Sequence, residues 1–167
     1  MKKLEYILSV AEYNSILDLN IEDSWLMNEA RVVTQFAYAP YSNFYVGAVA
    51  KLITGEIVRG TNQENASYPA GICAERVLLS SLASQYHDVA IATMAISYNN
   101  TRGKSNVPIS PCGICRQSIV EYQHRFQKPI RVLLSGLEGS VMIIEDAAGL
   151  LPMAFEAESL KGELEVQ

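Results

Sequence analysis

The sequence predicts an α/β fold, a three-layer α-β-α sandwich built on a mixed sheet of five strands. Three observations carry that expectation. Segments with apolar residues at helical spacing alternate with runs rich in β-branched and aromatic residues, the order that a sheet covered by helices requires. The run from Val89 to Tyr98 has almost no polar residue, as in a strand buried on both faces. Two pairs of short apolar runs separated by glycine-containing turns supply antiparallel hairpins beside it.

From the N-terminus, the first twenty or so residues are mixed, with weak helical periodicity across Leu4 to Tyr13. Asp23 or Ser24 is suited to cap a helix whose apolar positions are Leu26, Ala30, Val33 and Ala37, and Pro40 stops it. Phe44 to Ile53 reads as a strand, Thr54-Gly55 as a turn and Glu56 to Arg59 as the return strand. A loop through Asn62 to Gly71 leads to a helix from Cys73 to Tyr86, followed by the buried strand Val89 to Tyr98. The polar stretch Asn99 to Ser110 is a loop, and the segment from Cys112 to Phe126 is a second helix that ends before Pro129. Ile130 to Leu134 and Val141 to Ile144 flank Gly136-Leu137-Glu138-Gly139 as a hairpin. A short helix around Ala147 to Leu151 and an acidic tail complete the order.

With 167 residues, 49% of them hydrophobic, the expectation is a single domain over 1–167, residues 1–22 forming an N-terminal extension. No apolar run approaches the roughly 20 residues of a membrane span, and Glu5 falls where a signal peptide would begin its apolar stretch. A cytoplasmic protein is expected. The net charge is −5 and no three basic residues are consecutive, which disfavours polynucleotides and favours a small-molecule substrate.

Cysteine occurs three times, in Cys73-Ala74-Glu75 and in Pro111-Cys112-Gly113-Ile114-Cys115. An odd count at this spacing fits metal or thiol chemistry in a reducing compartment better than a disulfide framework. Both groups open helices, where orphan amides and the helix dipole favour a thiolate. A structural zinc ion takes four protein ligands, whereas three leave a position open for water, as hydrolysis requires. His124 lies on the Cys112 helix about 18 Å along the axis at roughly 1.5 Å per residue, and His87 is similarly remote from Cys73, so neither closes the shell. The reading is one zinc ion held by Cys73, Cys112 and Cys115, with Glu75 beside it moving protons. Three thiolates on a divalent ion leave a charge of −1. Arg76 is therefore expected to donate hydrogen bonds to the sulfurs, and Gln117 to orient Arg76.

Four blocks taken together resemble the cytidine deaminases, of the small homotetrameric type with cysteine as first ligand. They are Tyr41-Ser42-Asn43-Phe44-Tyr45-Val46-Gly47-Ala48, Asn62-Gln63-Glu64-Asn65-Ala66-Ser67-Tyr68, Ile72-Cys73-Ala74-Glu75-Arg76 and Pro111-Cys112-Gly113-Ile114-Cys115-Arg116-Gln117. The resemblance covers about Ser24 to Leu160. It implies zinc-dependent hydrolytic deamination of cytidine and deoxycytidine to uridine and deoxyuridine plus ammonia, a step of pyrimidine salvage. It also implies that Glu75 protonates N3 and then the departing amine, and that Asn62 and Glu64 hold the ribose 3′-hydroxyl. By the same likeness Phe44 packs on the base and the Ala74 backbone reads the cytosine amide edge. Leu150-Leu151-Pro152-Met153-Ala154-Phe155 resembles a segment whose phenylalanine enters a neighbouring subunit's site, which implies a homotetramer with shared active sites. Other readings stay open at this point. Cys112-Gly113-Ile114-Cys115 also resembles a thioredoxin-like dithiol, a zinc-bearing scaffold without activity would share the cysteines, and blasticidin-type deaminases share the Cys-Ala-Glu and Pro-Cys-x-x-Cys pieces.

Overall fold

A computed structural model describes residues 1–157 and 160. The chain runs β1 (Ala11–Tyr13), α1 (Ile21–Val33), β2 (Phe44–Leu52), β3 (Ile57–Thr61), α2 (Ala74–Gln85), β4 (Ile91–Asn100), α3 (Gly113–Phe126), β5 (Arg131–Ser135) and β6 (Val141–Ile144), with single 3₁₀ turns between. The acidic tail expected at the C-terminus lies, from residue 161 onward, outside the described residues.

One sheet of six strands, ordered β1-β6-β5-β4-β2-β3, crosses the molecule, so the expectation of five is corrected by one. The added strand comes from the segment expected to be helical. Ala11–Tyr13 pairs antiparallel with β6 in the register Ala11↔Ile143 to Tyr13↔Val141. The weak helical periodicity there cannot compete with the unpaired N–H and C=O groups on the outer edge of β6. The sheet is mixed because β4 and β5 are parallel, joined by α3, while the other neighbours are antiparallel.

Period-two alternation divides the strands between two cores. Val49, Ala95, Leu133, Val141 and Ile143 face α1, where Leu26, Met27, Ala30 and Val33 cover them. Ala48, Ala50, Met94, Ile96, Val132 and Leu134 face the other way, toward Leu78 and Leu82 of α2 and Ile119 of α3. One helix on one face and two on the other make the three layers. The cap of α1 is Asn20, whose side chain accepts from the Asp23 N–H at 2.9 Å. Asp23 and Ser24, the two residues expected as alternative caps, lie in the first turn instead, and the Asp23 carboxylate accepts two hydrogen bonds of 2.6 and 2.8 Å from the Arg131 guanidinium, tying α1 to β5. The helix ends at Val33 rather than running on to Ala37, and the chain tightens into a 3₁₀ turn over Thr34–Phe36.

Two close approaches set the ends of the elements that matter for chemistry. On β3, a Cβ added at Gly60 would lie 2.4 Å from the Ala74 carbonyl and 2.5 Å from the Leu78 amide, so only glycine lets the first turn of α2 rest on the strand. The loop after β4 is seated on the β5–β6 turn, where Gly139, at φ +83°, would place a Cβ 2.0 Å from the Asn106 carbonyl. That loop returns the chain to the start of α3 at the carboxyl end of β4, the place where α/β sheets gather ligands.

A thiol cluster and a cavity at two helix starts

Cys73 is the N-cap of α2 and Cys112 the N-cap of α3, and neither spends its side chain on a capping hydrogen bond. Cys115 follows within the first turn of α3 and is buried. The three sulfurs lie within 4.8 Å of one another, and no histidine joins them among the described residues. The Cys73–Cys112 separation is 3.8 Å and the Cys112–Cys115 separation 3.4 Å. Tetrahedral thiolates at a Zn–S distance of about 2.3 Å stand roughly 3.8 Å apart, so the donor set fits zinc. The crowding is legible in the acidities. Hydrogen bonding from Cys115 draws the Cys73 thiol down to about 6, while that same bond and burial push Cys115 upward. One sulfur ionises at its neighbours' expense, and a shared divalent cation is what allows all three to be thiolates near neutral pH.

Glu75, one residue into α2, is 5% exposed. Burial raises its pKa, against hydrogen bonding from its own backbone amide and from Cys115. A cavity of about 290 Å³ opens over this carboxyl, lined by Phe44, Val46, Asn62, Cys73, Ala74, Glu75, Ile96, Ile109, Ser110, Pro111 and Cys112. Five of the residues singled out from sequence, Phe44, Asn62, Cys73, Ala74 and Glu75, thus share one wall with Cys112. A larger cavity of about 470 Å³ lies where residues 7–11 pass β6. Its lining is mostly aliphatic and holds no thiol, so the smaller cavity is the one equipped for chemistry.

The Asn62 amide is bound to the sheet: its Nδ2 donates to the Phe44 carbonyl at 2.8 Å and its Oδ1 accepts from the Val46 N–H at 2.7 Å. Glu64 lies beyond that cavity, beside Tyr41, Ser42, Asn65 and Tyr68. Its Oε2 accepts from the Tyr41 and Ser42 amides at 2.9 and 3.3 Å. Desolvation opposes ionisation there, and hydrogen bonds from Ser42 and Tyr41 outweigh it, so the Glu64 pKa is lowered.

Arg76 and Gln117 are not joined. Gln117 donates to the Phe155 carbonyl at 2.7 Å and accepts from the Phe155 N–H at 3.2 Å. Arg76 lines a groove between α2 and α3 with Ser80, Ser118, Glu121 and Arg125. Its charge adds a small depression of the Cys73 pKa, after the larger effects of the other thiols, burial and Glu75. The Phe155 ring is 60% exposed although its backbone is held.

Several residues of the site were given no role from the sequence, two of them, Val46 and Arg116, although they lie in the quoted blocks. Val46 and Ile96 line the cavity as ordinary members of apolar strands, and Ile109 and Ser110 join it from the loop. Arg116 fixes the start of α3, its Nε donating to the Pro111 carbonyl at 2.8 Å and its Nη1 to the Leu150 carbonyl at 3.3 Å. Its place directly after Cys115 is the one signal that could have marked it.

Residues 20–128 match the family described as the cytidine and deoxycytidylate deaminase zinc-binding region. The cytidine deaminase of Halalkalibacterium halodurans is 36% identical over 135 residues, 81% of this chain and 95% of that protein. That of Mycoplasma genitalium is 34% identical over 112 residues, 67% of this chain and 80% of its own length. Among solved structures, the cytidine deaminase of Burkholderia pseudomallei superposes with a TM-score of 0.68 at 36% identity, over 78% of this chain and 97% of that one. No helix among the described residues is long and apolar enough to cross a membrane. With its zinc-suited thiols, its sheet and its relatives all in agreement, the chain belongs to the cytidine and deoxycytidylate deaminase family of zinc-dependent hydrolases.

Proposed function

We propose that this chain, as a single domain over 1–167 with residues 1–22 as an extension, deaminates cytidine and deoxycytidine to uridine and deoxyuridine. Water is consumed and ammonia released. One observation carries the reading: three thiols converge at two helix starts beside a buried carboxyl on the wall of a base-sized cavity.

Cys73, Cys112 and Cys115 hold one zinc ion, which when bound supplies Lewis-acid activation of water. Glu75 carries the protons. Its raised pKa, caused by burial, makes the carboxylate a ready acceptor of a proton from water, which it passes to N3; the regenerated carboxylate then takes the second proton, from the oxygen newly bonded to C4, and gives it to the departing amine as the C4–N bond breaks. The cytosine lies against Phe44 with Val46, Ile96 and Ile109 excluding solvent, and the Ala74 backbone meets its amide edge. Asn62 retains one N–H and one lone pair beyond its two backbone partners, and Glu64 retains Oε1, so both have capacity left for a ribose hydroxyl. Arg76 favours the Cys73 thiolate through space, and Gln117 serves by fixing Phe155. The exposed ring of Phe155 on a tethered backbone favours its use by a neighbouring subunit, in a homotetramer with shared sites. The charge of −5 fits a free nucleoside rather than a nucleic acid, in cytoplasmic pyrimidine salvage.

The test is metal analysis together with an absorbance assay of cytidine, deoxycytidine and blasticidin S, with Glu75→Gln as control. About one zinc per chain and turnover of the first two nucleosides are expected. Turnover of blasticidin S alone, or a protein that binds no zinc, would overturn the reading.

A further inference from the structure

Phe44 does not meet the cavity as an isolated ring. Tyr98 lies against it with centroids 4.8 Å apart and planes only 11° from parallel. In the β2–β4 ladder Phe44 is opposite Asn100 and Val46 is opposite Tyr98, so the two rings are diagonal neighbours, a separation that aromatic side chains can bridge. Ile96 and Tyr98, two residues apart on β4, project from the same face. Ile96 lines the cavity and Tyr98 does not; Tyr98 stands behind the wall, 3% exposed.

An aromatic at a cavity wall is useful for stacking only if its plane is held, and a phenylalanine on the first residue of a strand has neighbours on one side of the chain alone. Tyr98 supplies the missing restraint. A parallel partner fixes both the tilt and the position of the Phe44 ring, whereas an aliphatic residue of similar volume would fill the space without fixing the plane. The 290 Å³ cavity is bounded on this side by that ring and elsewhere by Glu75 and Cys73, so the ring's plane sets how a flat heterocycle is presented to the acid and the thiols.

We propose that Tyr98 is a positioning residue for the pyrimidine: it holds Phe44 in the plane on which the base stacks, giving a continuous pile of base, Phe44 and Tyr98. The inference rests on the cavity being the base site of the proposed deaminase. Tyr98 itself touches no reacting atom.

The experiment compares Tyr98→Leu and Tyr98→Phe with the parent protein, each loaded with zinc. The readouts are KM and kcat for cytidine, zinc content, and ring-flip rates of Phe44 by NMR of ring-labelled phenylalanine, of which the chain has four. For Tyr98→Leu the expectation is KM raised about 3- to 10-fold with kcat changed less than about 2-fold, unchanged zinc and faster Phe44 flips. Tyr98→Phe should restore all parent values, because the stack needs the ring and not the hydroxyl. A parent-like KM in Tyr98→Leu, or Tyr98→Phe as impaired as Tyr98→Leu, would overturn the proposal. A zinc-loaded parent that releases no ammonia would instead overturn the deaminase reading, and the role of the stack in positioning substrate with it.

Discussion

Replacing Gly60 by alanine should separate the stability of the fold from the alignment of its site. The new methyl would lie 2.4 Å from the Ala74 carbonyl and 2.5 Å from the Leu78 amide, both backbone atoms, against an ordinary contact of 3.4 Å. The first turn of α2 must therefore retreat by about 1 Å, and that turn carries Glu75 and begins at Cys73. Overpacking of this kind costs roughly 1–3 kcal/mol, a fall in Tm of about 2–12 °C for a chain of this size. Misplacement by 1 Å costs on the order of 10²-fold in rate, and it loosens a metal whose ligands come from two different helices. The assay is kcat/KM for cytidine with zinc content and Tm in parallel. Leu82→Ala serves as comparison. Leu82 is fully buried near the far end of α2, and its truncation costs about 2–5 kcal/mol without moving the first turn. Gly60→Ala should be the more stable protein and the poorer enzyme. If it keeps activity within 2-fold of the parent, the idea that this glycine sets the register of the site is wrong.

Four further outcomes are expected. Glu75→Gln should retain zinc and lose about 10²- to 10⁴-fold in kcat, measured by absorbance, since it removes the carboxyl proposed to carry protons and leaves the thiols in place. Cys112→Ser should lower bound zinc well below one per chain on metal analysis and abolish turnover, because two thiolates from separate helices remain. Asp23→Ala removes two charge-assisted hydrogen bonds and leaves the part-exposed Arg131 guanidinium only Glu145, so it should cost about 1–3 kcal/mol, read as a Tm drop of roughly 2–12 °C, with kcat intact because the pair lies on the α1 face of the sheet. Phe155→Ala should raise KM for cytidine with zinc content and Tm unchanged, as its ring is exposed within its own chain; an unchanged KM would argue against a shared site.

The chemistry was legible where it rests on residue type and local spacing. Three cysteines at helix-opening positions, a glutamate two residues past the first and a proline ahead of the second define a metal site almost regardless of the rest, because helix periodicity dictates how nearby side chains share an end. The strands β2, β4 and β6 were similarly readable, since a buried strand must be apolar and a helix start needs a cap. What depends on partners distant in sequence was not readable. Residues 11–13 became a strand because β6 had an edge to fill, and α1 starts early enough for Asn20 to cap it, which leaves Asp23 in the first turn to pair with Arg131, over a hundred residues later. Gln117 was given to Phe155 rather than Arg76 because the chain returns there after β6. Tyr98 carries no sign in the sequence of what it supports, for its neighbour on the pleat is set by the register of β2 against β4. Local covalent order chose the reactive groups; long-range packing chose their distances, burial and company, and those are what turn a cluster of thiols and a carboxyl into a site.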